Sequence, residues 1–479
     1  MKKEKAGNSK ESVTRGAGTL RGNTKKDPAT RSKDHPGPRS KDSGTRSREG
    51  PTQKSSLSKK SPKARPKNTP MSHKSHKSFK DKNQTEDVYN EELLNRMSKA
   101  LTHNPWYHGL MPRDEIEDLL KNDGDFLVRK TEVAKHVRYA ATVMHKNRIR
   151  HILFNFKNDL WSLRDLKRPT VTELIEAHVN DKVPVMSDGT LLINAVPRPV
   201  FYILHEHIEL KQRLGGGAFG DVYAAALKNK DDTTIEVAVK RLKGMMHKKQ
   251  RAEFVKEAKL MRRFDHPNIV KMYGVAPQEE PVMIVLELAP GGSLLQHLRK
   301  HPNLPTDALT KYTRDAARGM CYLSTRHCIH RDIAARNCLI GGKDEVKISD
   351  FGLSIADKSA VKLDKLKNMP VKWLAPETLK KGVFSKKSDV WAFGVLIWEI
   401  FSRCKSDPFP GESNQDARKK ILSGEAPMKP PEDTPTVIAS VMDLCFTQNP
   451  EERPDFEVLF KLVAPNEKPP LDNFESYGP

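Results

Sequence analysis

The stretch His330-Arg331-Asp332-Ile333-Ala334-Ala335-Arg336-Asn337, followed by Asp350-Phe351-Gly352, decides how this chain is read. A carboxylate can take a proton from a hydroxyl. A side-chain amide oxygen and a second carboxylate are hard donors suited to a metal ion beside phosphates. Asp332 is the candidate acceptor, and Asn337 and Asp350 are candidate metal ligands. One short stretch thus carries the parts of a phosphate chemistry.

Upstream lies Leu214-Gly215-Gly216-Gly217-Ala218-Phe219-Gly220-Asp221-Val222. Gly215, Gly217 and Gly220 let a hairpin backbone approach phosphates where any Cβ would intrude. Taken alone, this could equally be a plain turn. Val237-Ala238-Val239-Lys240 then follows as an alternating strand ending in lysine. That order argues against a dinucleotide site, which wants a strand-to-helix turn and a later acid on the ribose. Phe254, Ala258 and Met261 fall on one helical face, and that helix carries Glu253 and Glu257 before His266-Pro267-Asn268-Ile269-Val270. An apolar strand, Pro281-Val282-Met283-Ile284-Val285-Leu286-Glu287-Leu288, runs into Ala289-Pro290-Gly291-Gly292. Ala375-Pro376-Glu377, Asp389-Val390-Trp391-Ala392-Phe393-Gly394 and Arg453-Pro454 follow.

In this order the set resembles a protein kinase. Serine/threonine kinases usually place a lysine two residues after the aspartate, and here that position is Ala334. The Ala334-Ala335-Arg336 insert and Pro370-Val371-Lys372-Trp373 resemble protein-tyrosine kinases. The resemblance implies a bilobal fold, ATP and Mg2+ as cofactors, and phosphoryl transfer by positioning and charge neutralisation. It assigns Asp332 to orient the phenol, Asn337 and Asp350 to Mg2+, and Arg336 to a place near Asp332. Lys240 would anchor phosphates and be held by Glu257, with Glu253 as competitor; the plain alternative for Lys240 is a strand-edge lysine. Leu214, Gly215, Gly216, Gly217, Ala218, Phe219, Gly220, Val222 and Ala238 would surround ATP. Leu286 would back the adenine pocket, and the backbones of Glu287 and Ala289 would bond adenine.

A second module precedes it. Trp106-Tyr107-His108-Gly109 and the strand Phe126-Leu127-Val128-Arg129 resemble an SH2 domain, a reader of phosphotyrosine peptides. A guanidinium deep in a pocket grips phosphate with a fork that lysine cannot form. Arg129 is that residue, Thr131 a further donor, and Arg113 and His151 flanking groups; solvated surface roles are the alternative for the last two. The expected fold is α+β multidomain: an SH2 domain, with a central antiparallel sheet between two helices, before the bilobal kinase. The expected boundaries are a disordered basic tail 1–90, a linker 91–104, the SH2 domain 105–197, a linker 198–207, the kinase 208–464 and a tail 465–479.

The order of modules, with Asn194-Ala195-Val196-Pro197 between them, resembles the C-terminal half of the Fes/Fer cytoplasmic tyrosine kinases. Two departures matter. That family carries an F-BAR and coiled-coil region, whereas about a hundred residues without heptads precede the SH2 module here, so membrane bending and oligomerisation are not expected to carry over. The family also has an activation-loop tyrosine, and this chain has none between Asp350 and Glu377. A constitutively ordered loop, phosphorylation of Ser354 or Ser359, and low basal activity would each fit.

Composition agrees. Residues 1–90 hold 24 Lys/Arg against 9 Asp/Glu, while the other 389 residues hold 60 against 52, so the basic excess of +23 lies mostly in the tail. That tail, almost free of aromatics, cannot bury enough apolar surface to offset ordering. It could bind anionic membrane, bind nucleic acid (the less favoured partner), or serve as a solubilising tether. No apolar run is long enough to span a membrane, and no secretory signal is expected. The cysteines Cys321, Cys328, Cys338, Cys404 and Cys445 lack metal-ligand spacing and read as reduced thiols of a cytoplasmic protein, peripheral to the plasma membrane at most. Tyr477, beyond the kinase region, is a candidate ligand for an SH2 domain. Two functions remain open: a tyrosine kinase that uses its SH2 module to hold phosphotyrosine proteins, and an SH2 adaptor in which catalysis is dispensable.

Overall fold

The computed structural model describes residues 91–470 except 134–135, 217–219, 230, 243–247 and 367–368. The basic segment 1–90, Gly217, Ala218, Phe219 and Tyr477 lie outside the described residues.

The chain enters through helix α1 (Glu91–Leu101), where a linker was expected. Met97 and Leu101 are buried in the same core as Trp106, Tyr107, Phe126 and Val128, so α1 is part of the SH2 module. Its polar surroundings hide this in the sequence: Leu93, Leu94, Met97 and Leu101 make one apolar stripe at helical spacing. Helix α2 (Arg113–Glu117) follows. The strands β1 (Asp125–Val133), β2 (His136–His145) and β3 (Arg148–Leu153) form an antiparallel sheet. A small sheet of β4 (Asn155–Lys157), β5 (Leu160–Leu163) and β6 (Leu166–Arg168) packs beside helix α3 (Val171–Asn180). Thr170 caps α3 by accepting from the Glu173 amide. The edge strand β7 (Asn194–Ala195) runs parallel to β1, so the central sheet is mixed rather than wholly antiparallel.

The expected linker 198–207 is also packed. Tyr202 bridges to Val275, and Arg198 Nη1 donates to the carbonyls of Asn104 (2.8 Å) and Tyr107 (3.0 Å). The next sheet comprises β8 (Ile208–Gly216), β9 (Gly220–Lys228), β10 (Thr234–Leu242), β11 (Met272–Ala276) and β12 (Met283–Glu287), in the order β11-β12-β10-β9-β8. Helix α4 (Lys248–Met261) packs on it.

The second lobe is helical: α5 (Leu294–Lys300), α6 (Thr306–Thr325), α7 (Pro376–Lys381), α8 (Lys386–Phe401), α9 (Asn414–Leu422), α10 (Thr436–Cys445) and α11 (Phe456–Val463). Short strands β13 (Cys328–Ile329), β14 (Cys338–Ile340), β15 (Val346–Ile348), β16 (Ile355–Ala356), β17 (Ala360–Lys362) and β18 (Val383–Ser385) pair between them. Helix α8 is apolar around its whole circumference and almost wholly buried, as such a helix must be.

One apolar core joins the SH2 module to the first kinase lobe. Met111, Ile116, Leu120 and Leu127 meet Phe254, Val255 and Ala258 of α4. Glu115 pairs with Lys259 at 2.8 Å. Gly109 has a left-handed backbone (φ +71°), and an added Cβ would lie 2.1 Å from the Pro277 carbonyl oxygen. Only glycine permits that approach.

Candidate active site and anion pocket

Lys240 on β10 reaches across to α4. Its Nζ lies 2.7 Å from both carboxylate oxygens of Glu257 and 4.0 Å from Asp350 Oδ1. Glu257 is buried, and desolvation pushes its carboxyl up, opposed by the Lys240 charge. Glu253, the sequence competitor, is exposed. Helix periodicity decides this: the buried face that carries Phe254, Ala258 and Met261 also carries Glu257.

Asp332 is held by its own loop. Arg336 Nη2 donates to its Oδ1, and Asn337 Nδ2 donates to its Oδ2 (2.7 Å) and carbonyl (2.8 Å). With both amide hydrogens of Asn337 aimed at Asp332, its side-chain oxygen is the group left for a cation. Asp350 has a left-handed backbone (φ +60°, ψ 73°) and a half-exposed carboxylate. An amide oxygen and a carboxylate suit Mg2+, which keeps oxygen ligands from its nucleotide as well. Among the described residues there is no set of three or more His, Cys, Asp or Glu that could hold a metal by itself.

The glycine loop begins where β8 pairs with β9. Gly215 faces Val222 and Gly216 faces Asp221. A Cβ on Gly216 would sit 2.3 Å from Asp221 Oδ1 and 2.4 Å from Arg213 Nη2, inside an ion pair that closes the hairpin base. A Cβ on Gly220 would meet the Arg241 carbonyl at 2.3 Å. Leu214 is exposed, while Ala238, opposite Leu286 and Ala224, is buried in the sheet next to Lys240. Glu287 is tied by its amide to the Lys271 carbonyl (2.8 Å), and Ala289 accepts from Gly292 (3.2 Å).

Three positioning groups were given no such role from the sequence, although Asp389 and Trp373 stand in motifs quoted above. Buried Asp389 accepts the amides of His330 (2.7 Å) and Arg331 (2.8 Å), and burial lifts its carboxyl to about 7. Buried Glu399 uses one oxygen to accept both the Ala335 amide (2.9 Å) and Trp373 Nε1 (3.1 Å). The third, Trp373, lies under Arg336, whose guanidinium carbon is 4.6 Å from the ring centre. The signal was present: Asp389 and Glu399 are lone carboxylates in an apolar helix, and a buried charge needs partners.

The segment after Asp350 is tied down without a tyrosine. Strand β16 pairs with β13, and β17 pairs with β18. Asp357 takes a two-pronged bond from Arg263, just beyond α4 (2.7 and 2.9 Å). Arg331 donates to the Leu353 carbonyl (2.9 Å) and lies over the Phe384 ring (4.5 Å). Ser354 is buried and donates to the His330 carbonyl (3.1 Å), whereas Ser359 is exposed.

In the SH2 module a cavity of about 310 Å³ is walled by Met111, Arg113, Arg129 and Thr131, and by Ala252 and Val255 of α4. Arg129 is 2 % exposed, and its Nη2 has no partner. Burial, then the Arg113 charge, lowers its guanidinium to about 10, so it stays charged near neutrality. His151 stands behind these walls. Its Nδ1 is 3.1 Å from Thr142 Oγ1 and its Nε2 is 2.9 Å from Glu117 Oε1. Neither Thr142 nor Glu117 was singled out from sequence, because cross-strand register brings Thr142 to His151 and the packing of helix α2 brings Glu117 there.

Comparison with known proteins fits this geometry. The protein tyrosine and serine/threonine kinase family matches residues 208–463, and the SH2 domain matches residues 106–178. Tyrosine-protein kinase Fer of Rattus norvegicus is 41% identical over 377 residues, 78% of this chain and 45% of that protein. Fer-related kinase 1 of Caenorhabditis elegans is 41% identical over 365 residues, 75% of this chain and 92% of that protein. Spermatocyte protein spe-8 of the same organism is 35% identical over 385 residues, 79% of this chain and 74% of that protein. The chain thus spans less than half the length of the mammalian Fer proteins it matches. With its SH2 module ahead of an ordered kinase fold, the chain belongs to the Fer/Fes family of protein tyrosine kinases.

Proposed function

We propose that this chain transfers the γ-phosphoryl group of ATP to tyrosine hydroxyls of proteins, while its SH2 module holds phosphotyrosine-bearing partners. The observation that carries this is the Lys240 fork on Glu257, within 4.0 Å of Asp350, in a chain whose Asp332 is gripped by Arg336 and Asn337. Asp332 orients the phenol and accepts its proton, and Arg336 on Trp373 keeps that carboxylate aimed. Lys240 anchors the α- and β-phosphates, and Glu257 keeps it extended. Leu214, Gly215, Gly216, Gly217, Ala218, Phe219, Gly220, Val222 and Ala238 cover the nucleotide, and the backbones of Glu287 and Ala289 meet adenine. Bound Mg2+, held by Asn337 and Asp350, would neutralise phosphate charge. Arg129, Arg113 and Thr131 receive the phosphotyrosine phosphate, with His151 behind them.

Cytoplasmic placement, with the basic segment 1–90 against anionic lipid, belongs to the same reading. Among the described residues no helix is long and apolar enough to cross a membrane. The adaptor alternative draws on the missing loop tyrosine. The ties of Asp357 and Arg331 support a loop that is ordered without it.

The test is transfer from Mg·ATP to a mixed Tyr/Ser/Thr peptide pool, using phosphatase-treated protein beside Asp332→Asn. Tyrosine-only transfer, lost in the variant, is expected. Retained ATP binding with no transfer would favour the adaptor.

A further inference from the structure

Arg129 does not hold its orientation alone. Its Nε donates to Thr142 Oγ1 (3.3 Å), and Nη1 reaches the Lys130 carbonyl (3.4 Å). Nη2 is left buried and unpartnered. Behind Thr142 stands His151, and behind His151 stands Glu117.

The donor directions along this row are forced. A carboxylate only accepts, so His151 Nε2 must carry hydrogen toward Glu117. Burial holds the His151 pKa below its ordinary value, so the ring is neutral near pH 7 and its Nδ1 must accept. Thr142 therefore donates its hydroxyl hydrogen to Nδ1, which turns the oxygen lone pairs toward Arg129 Nε. Each link fixes the next, and the guanidinium is left with its free edge presented to a phosphate.

We infer that Glu117 is a positioning residue for phosphotyrosine binding, fixing the Arg129 fork through His151 and Thr142. The inference rests on the SH2 reading of Arg129. It runs against the simplest electrostatic expectation. Glu117 is an anion near a site for a dianion, and by charge alone its removal should tighten binding. Its carboxylate is 37% exposed, so that repulsion is screened, while the hydrogen-bonded row it anchors is mostly buried. The two accounts differ in sign.

The test uses the full chain, without ATP, and a fluorescent phosphotyrosine peptide read by anisotropy. Glu117→Gln keeps an acceptor for His151 but removes the charge; Glu117→Ala removes both. Expected are affinity within about twofold of wild type for Glu117→Gln and roughly tenfold weaker binding for Glu117→Ala, the loss typical of one hydrogen bond in a charge-assisted row. Adding Glu117→Ala to His151→Ala should cost nothing further, because the row is already broken. Should Glu117→Ala fail to fold, Thr142→Val breaks the row one link on, and the same weakening is expected. Equal tightening in both Glu117 variants, wild-type affinity in Glu117→Ala or Thr142→Val, or undiminished loss in the His151→Ala background would overturn the inference. Arg129→Leu retaining affinity would instead overturn the SH2 reading beneath it.

Discussion

At the scale of single residues, buried acids organise the site. Glu399 illustrates the consequence. Its carboxyl titrates at about 7 in the fold against an ordinary 4.5, because burial disfavours its charged form. Between those values the folded chain holds a proton that the unfolded chain has released. The stability this contributes is full below about pH 4.5 and is lost as pH rises through 7, on the order of 3 kcal/mol. Glu399→Gln cannot titrate, and its carbonyl can still accept from Ala335 and Trp373. The wild-type melting temperature should fall relative to the variant by about 5–10 °C between pH 4.5 and pH 8; parallel melting curves would refute the assignment. The acids and bases of the site were legible as residue types. Two partners were legible as well, Glu257 for Lys240 and Arg336 for Asp332; Trp373 beside Glu399 was not, because that partner is chosen by packing.

At the scale of elements, two stretches without a sequence motif prove structured. Helix α1 tests whether the SH2 core begins at Trp106 or earlier. Leu101 is fully buried, so Leu101→Ala should destabilise the chain by about 2–5 kcal/mol in denaturant unfolding. A loose linker would leave the midpoint unmoved. The loop after Asp350 is the second. The Arg263–Asp357 pair is largely exposed, so its worth is at most about 1 kcal/mol. Asp357→Asn should therefore lower kcat by no more than about fivefold, with phosphatase treatment changing neither protein. Activity that falls on dephosphorylation of wild type would show that a phosphate, at exposed Ser359 for example, completes the loop. Strand and helix types were readable from alternation and period, and the glycine turn from its steric demand. The packed segment 198–207 was not, because its contacts are with residues far away in the chain.

At the scale of the whole molecule, the SH2 module and α4 share a core, and α4 carries the glutamate that holds Lys240. Seating of one module should therefore register in the other. Lys259→Glu, set against Glu115, should reduce kcat up to about fivefold and speed proteolysis within 198–207. The double exchange Glu115→Lys with Lys259→Glu should restore both, and failure to restore would mean the pair carries no coupling. The sequence by itself determined the modules, their order and the chemistry each can perform, because catalytic loops, glycine turns and a buried strand arginine are local patterns with local causes. Tertiary structure alone decided that residues 91–101 belong to a core, that segment 198–207 is packed, and that Glu117 stands behind Arg129. Each of these depends on which face of an element is buried against another, and that is fixed only when distant parts of the chain pack together.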